Sequence, residues 1–163
     1  MKCHQFAGIA VLLGASFGPA IAAPDMTPEE LLATLNALHQ RQAEIAELAE
    51  QRADRAGVSD LAEALQQDHI ILADWLAQAA EGGPGDASAV SLPGSDTYQQ
   101  LKGLDGEKFD TAFLRYQTQL HEHALELLEQ NLPEESELFS YTNLIKVTHE
   151  AMRKHLALIQ VER

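Results

Sequence analysis

The chain has 163 residues, with 25 acidic side chains against 11 basic ones and a formal charge of −14. That balance argues against nucleic acid and anionic lipid surfaces as partners. The single cysteine, Cys3, lies near the start, so the rest of the chain offers no disulfide, no thiolate nucleophile and no Cys-ligated metal.

The first residues read as a secretory signal. Met1-Lys2 is a short positive segment, Phe6 to Phe17 is an apolar run too short for a membrane span, and Ala20-Ile21-Ala22 is a cleavage site. Residues 1–22 are therefore expected to be removed, with the mature chain secreted across the inner membrane to the periplasm. Residues 23–163 read as one domain, since about 140 residues bury one sizeable core. No transmembrane segment is expected after signal removal.

Thr27-Pro28-Glu29-Glu30 opens the first helix as a capping box with proline at its first position. Leu31, Leu35, Leu38, Ile45 and Ala49 form its apolar face, and Gly57 is expected to end it. The second helix, capped by Ser59 or Asp60, runs to about Ala80 with the stripe Leu61, Leu65, His69, Leu72 and Leu76. Trp75 reads as core filling. Residues 81–104 carry Gly82-Gly83-Pro84-Gly85 and Leu92-Pro93-Gly94-Ser95 without a helical period, so they read as a long connection. Asp105 is expected to cap a third helix to about Asn131. Its inner face is Leu114, Gln117, His121, Leu125 and Leu128, widened by Phe109, Phe113, Tyr116 and Leu120. A fourth helix, from about Glu134 to Val161, buries Leu138, Tyr141, Ile145, Met152, Leu156 and Ile159. No strand pattern is visible. The expected fold is an all-α four-helix bundle, two helical hairpins joined by a long crossover.

The stretch ending in Gln67-Asp68-His69, the run Leu104 to Asp110 with Phe109 followed by His121, and Arg153-Lys154-His155-Leu156 occur in this order over most of the chain. Together they resemble a ferritin-like "domain of unknown function" family of small secreted bacterial proteins, often labelled predicted outer-membrane proteins. The resemblance implies a ferritin-like bundle and marks Asp68, His69, Phe109, Asp110, His121 and His155 as motif residues. Glu150 stands where the family pattern has proline. No alternating barrel strands support an outer-membrane β-barrel.

Three histidines on greasy helical stripes, His69, His121 and His155, require an explanation. A di-iron site needs Glu-x-x-His on two helices. Here Gln66 precedes His69 and Met152 precedes His155 at that spacing, so a standard di-iron oxidase is not expected. Counting from the turns at ~1.5 Å per residue, His69 levels with Glu44 and Ile45, and His121 with Ile145. His149 then lies about one turn away and His155 roughly 15 Å away. On this count a site for one divalent metal ion, zinc, copper or iron, would be built on His69 and His121 with Glu44 or His149, and His155 stands apart; the leading reading of the three histidines is a buried hydrogen-bond network or core packing. His39 and His123 read as solvent-facing or boundary residues. No catalytic triad, phosphate-binding glycine loop or covalent haem motif is present. The leading expectation is thus a non-enzymatic exported protein with a structural or interaction role in the envelope, in contact with a protein partner or a second copy. The metal-binding bundle is the alternative.

Overall fold

The computed structural model describes residues 26–80, 92, 94–133 and 139–163. These residues form five helices and no strand: α1 Pro28–Arg52, α2 Ala56–Ala79, α3 Ser95–Leu101, α4 Gly106–Gln130 and α5 Phe139–Glu162. The all-helical expectation holds. The expected signal segment with residues 23–25, residues 81–91, residue 93 and residues 134–138 lie outside the described residues.

Helix α1 starts as its sequence dictates. The Thr27 hydroxyl accepts from the Glu30 N–H at 3.2 Å, and the Glu30 carboxylate accepts from the Thr27 N–H at 2.9 Å. Two orphan amides are satisfied reciprocally. The end of α1 corrects the sequence reading. The helix stops at Arg52, Ala53–Arg55 form the link, and Gly57 sits inside the first turn of α2. Neither Ser59 nor Asp60 caps α2. The amides of the link itself are met from another helix, which fixes the chain as it enters α2: the Asp110 carboxylate of α4 accepts from the N–H groups of Asp54 and Arg55, both at 3.0 Å. A cap supplied across the fold leaves no local signature, so the boundary was set too late.

Two further expectations shift. Asp105 occupies the N-cap of α4 without a capping bond, and its carboxylate pairs instead with Arg52 at 3.4 Å. The long connection contains the short helix α3. It begins at Gly94, whose φ of +72° and proximity to the Tyr116 ring, 2.6 Å from where a Cβ would stand, both require glycine. The Tyr98 ring of α3 takes the Arg41 guanidinium at 4.2 Å and the Lys102 ammonium at 4.3 Å, tying α3 to α1. Helix α5, whose expected start near Glu134 lies outside the described residues, is helical from Phe139 and passes unbroken through Glu150.

The four long helices pack side by side, with α1 against α2 and α4, and α5 against α2 and α4. Met26 N–H donates to Asn131 Oδ1 at 3.1 Å, while Arg52 donates to the Lys102 and Leu104 carbonyls at 2.7 and 3.2 Å. These two ends make α1 and α4 antiparallel. The contacts of Asp68 with His155, and of Gly57 with Glu162, make α2 and α5 antiparallel. Hence α2 and α4 run the same way, and the connection between them must return from one end of the helices to the other.

The core follows the predicted stripes, except that Leu125, Tyr141 and Leu156 are only half-buried and Leu138 lies outside the described residues. Leu35, Leu38, Ile45, Leu65, Leu76, Phe109, Phe113, Leu120, Leu128, Ile145, Met152 and Ile159 are fully buried. Phe109 stacks on Phe113 with centroids 5.8 Å apart. Trp75 is not core filling: it is 47% exposed. Among these apolar side chains sit His39, His69, Gln42, Gln117, His121 and His155, all buried. Burying so many polar groups is costly unless each finds a partner.

Candidate metal centre

Helices α1, α2, α4 and α5 each contribute one histidine to a single layer: His39, His69, His121 and His155. Ring centroids lie 5.1 Å apart for His39–His69, 5.2 Å for His69–His121, 4.9 Å for His69–His155 and 5.4 Å for His121–His155. One ring nitrogen each from His69, His121 and His155 lies within 4.8 Å of the other two. An ion bound at ~2.0–2.1 Å in tetrahedral geometry wants nitrogens about 3.4 Å apart, so small side-chain rotations close the set.

Each of the three rings is held by its other nitrogen. His121 Nδ1–H donates to the Gln117 carbonyl at 2.8 Å. His155 Nε2 lies 2.9 Å from Asp68 Oδ2, which also accepts from Lys154 Nζ at 3.0 Å. His69 Nδ1 lies 2.9 Å from His39 Nδ1, so one of that pair donates to the other. The opposite nitrogens, His69 Nε2, His121 Nε2 and His155 Nδ1, are buried and have no hydrogen-bond partner among the described residues, and the same holds for His39 Nε2.

Electrostatics keep these rings neutral. Burial pushes His39 and His121 down to about 3, with the His155 charge adding to the depression in both. At His121 the hydrogen bond to Gln117 opposes that fall. Burial also holds His69 well below the usual histidine range, and the neighbouring rings push the same way. His155 falls too, because burial outweighs the upward pull of Asp68. Burial raises Asp68, but hydrogen bonds from His155 and Lys154 overcome it and keep the carboxylate below its ordinary value. Neutral imidazoles near pH 7 present lone pairs, which is what a metal requires.

The register derived from the sequence is corrected at both hairpins. With the α1–α2 link at Ala53–Arg55 rather than Gly57, the residue level with His69 is His39, not Glu44. Glu44 instead pairs with Arg41 at 3.5 Å on the surface. His39 is buried, not solvent-facing. Its signal was present in the stripe Leu35, His39, Gln42, Ala46 and Ala49, one column from the stripe chosen. On the other side, His149 lies 3.7 Å from Glu129 and 3.5 Å from Glu150, away from the cluster. Glu129 opposite His149 slides α5 by about three turns relative to a hairpin counted from Pro133. That slide brings His155 into the layer it was expected to miss. His123 is half-buried, as a boundary residue should be. Of the remaining motif residues, Asp110 caps α2, with Arg55 Nε also 3.3 Å away, and Phe109 fills the core.

The helical arrangement and its histidine layer sit within a recognisable family. A family model described as "Domain of unknown function (DUF4142)" matches residues 16–161, and the chain belongs to that family. A solved structure of a DUF305 protein from Streptomyces coelicolor, provisionally described as secreted, is similar with a TM-score of 0.66. The match has 16% identity and covers 84% of this chain and 91% of that one, so the likeness is one of fold. Among curated proteins, none matches the sequence. No helix among the described residues is long and apolar enough to cross a membrane.

Proposed function

We propose that this protein is an exported four-helix bundle with ferritin-like connectivity, and that it binds one transition-metal ion through His69, His121 and His155. The observation that carries the reading is the pairing of roles on each ring. One nitrogen is fixed by a carbonyl, a carboxylate or a fourth histidine, and the other is buried, unpartnered and turned into a common space. Metal-ligating histidines have this arrangement, because the outer hydrogen bond fixes the tautomer and raises the basicity of the ligating nitrogen. The set is complete when His69 Nδ1–H donates to His39 Nδ1, leaving Nε2 as the ligand. A purely structural hydrogen-bond network should occupy both nitrogens of each ring, since an orphaned buried polar atom costs roughly 1–3 kcal/mol. That comparison favours the metal centre over a merely structural or interaction role for the polar layer.

Three neutral imidazoles suit zinc or copper. Calcium and magnesium would demand an oxygen-rich set, and the cluster holds no carboxylate ligand. Export to the periplasm is supported by the charged start, the short apolar run and the Ala20-Ile21-Ala22 site.

Metal analysis of untagged protein, before and after reconstitution with zinc or copper, tests the reading. One equivalent per chain is expected. His69→Ala combined with His121→Ala should abolish it. Failure of the wild-type protein to hold a stoichiometric ion after reconstitution overturns the assignment.

A further inference from the structure

Two buried amides lie beside the histidine layer and have no part in fixing it. Gln42 and Gln117 are both fully buried. In each, the side-chain oxygen and nitrogen both lack a hydrogen-bond partner among the described residues. Four orphaned polar atoms from two neighbouring residues are hard to reconcile with a core that serves packing alone.

Their positions connect them to the centre. Gln117 is one turn before His121 on α4, and its own backbone carbonyl holds His121 Nδ1. Gln42 is one turn after His39 on α1. Because α1 and α4 are antiparallel, with Met26 opposite Asn131 and Arg52 opposite Leu104, position 42 falls at the level of Gln117 to within about one turn. Helical side chains lean toward the N-terminus of their own helix. Gln42 therefore leans toward the histidine layer and His121 toward the level of Gln117, while the Gln117 side chain itself leans away from the layer. The two amides make a polar floor roughly one turn, ~5 Å, from the imidazoles.

Resting on the metal reading above, we propose that the ion keeps one coordination position for a small exogenous ligand, and that the amides of Gln42 and Gln117 form the pocket that holds it. Three protein ligands with a fourth position left to a non-protein donor is the pattern of reactive zinc and copper sites, whereas structural zinc sites are closed by four protein ligands. The natural competitor for that position, His39, lies outside the group of three converging nitrogens: its Nδ1 is bound to His69, and its Nε2 is buried and unpartnered among the described residues. An amide pair supplies both N–H donors and carbonyl acceptors. Such a pocket suits water, hydroxide or a small inorganic anion, and its full burial leaves no room for a large organic molecule.

The test uses the full exported chain loaded with copper(II), with azide as the probe. Azide bound to copper(II) gives a ligand-to-metal charge-transfer band, so its affinity is read directly. Saturable binding of one azide per copper is expected. Gln42→Leu and Gln117→Leu should each weaken azide about five- to tenfold, as expected for one lost hydrogen bond. Copper stoichiometry should be unchanged, and the melting temperature should not fall, because leucine removes unpaired polar atoms from the core. Fully copper-loaded protein that takes no azide overturns the proposal while leaving the metal centre standing. If azide binds only after His39→Leu, His39 closes the shell and the proposal fails. Wild-type azide affinity in both glutamine variants also refutes the role of the amides. Absence of stoichiometric copper overturns the metal reading beneath it.

Discussion

Asp68 and His155 are joined by a 2.9 Å contact between a half-exposed carboxylate on α2 and a buried imidazole on α5. The contact fixes more than packing. With Nε2–H directed at Asp68, the lone pair of His155 resides on Nδ1, the nitrogen that is buried and without a hydrogen-bond partner among the described residues. A carboxylate behind a ligating imidazole also strengthens the ligand.

Asp68→Asn should therefore weaken metal binding while leaving the fold intact. The amide oxygen still accepts a hydrogen bond, but the charge is gone. A loss of about 10- to 100-fold in metal affinity is expected, read by competition with a chelator of known strength. Lys154→Ala, which removes only the exposed partner of Asp68, should change affinity by far less. Equal affinities for wild type and Asp68→Asn would remove Asp68 from the site.

The same histidines make the metal-free protein sensitive to mild acid. His39 and His121 are depressed to about 3, while in the unfolded chain they titrate near 6.5. Above the unfolded value both states are neutral and stability does not depend on these rings. As pH falls below it, the unfolded state takes up protons that the folded state refuses, so stability is lost down to the folded value. At pH 5 each such ring costs about 2 kcal/mol, from 1.36 kcal/mol per pKa unit, and coupling between them makes a simple sum an upper bound. Urea midpoints should be level above pH 7 and fall steeply from pH 6.5 to 5, before most carboxylates titrate. A flat profile to pH 5 would contradict neutral burial. Bound metal should shift the fall to lower pH.

Helix periodicity made most of the core legible, because the stripes of α2 and α4 report the buried face directly. Leu65, His69 and Leu72, or Phe113, Leu120 and Leu128, need no tertiary information to be placed inside. Register between helices was not legible to the same degree. A site formed across helices depends on where each turn lies, and an error of a few residues at a turn moves every facing pair by one or more turns. Gly57 was taken as a helix stop because glycine is a common C-cap, but here it lies in α2 under the C-terminal end of α5, with its Cβ position 2.5 Å from the Glu162 carboxylate. The break that does occur, at Ala53–Arg55, is stabilised by Asp110, which is 55 residues away from Arg55 in sequence. No local motif announces such a cap.

Asp110 should accordingly be among the most sensitive polar positions. Its buried carboxylate serves two backbone amides and the Arg55 side chain at once. Asp110→Ala leaves the amides of Asp54 and Arg55 without their acceptor, and a loss of about 2–4 kcal/mol in unfolding free energy is expected from chemical denaturation. Arg55→Ala, which removes only a half-exposed ion-pair partner, should cost under about 1 kcal/mol. Comparable losses in the two variants would mean that the ion pair, not the cap, is what Asp110 provides.

The register correction itself can be tested without a new structure. Glu44 and His149 are the residues that a count from Gly57 and Pro133 would bring to the level of His69 and His121, whereas the packed helices bring His155. Glu44→Ala and His149→Ala remove side chains engaged only with Arg41, or with Glu129 and Glu150. Both should retain one equivalent of metal with affinity within about twofold of wild type, and the half-exposed Arg41–Glu44 pair contributes about 0–1 kcal/mol to stability. His155→Ala should lose a ligand and with it the stoichiometric ion. The decisive pattern is the contrast: an intact site in His149→Ala beside a lost one in His155→Ala places α5 in the observed register. The reverse pattern would require α5 to slide by nearly two turns, ~9 Å, which would carry Met152 and Ile159 out of their buried positions.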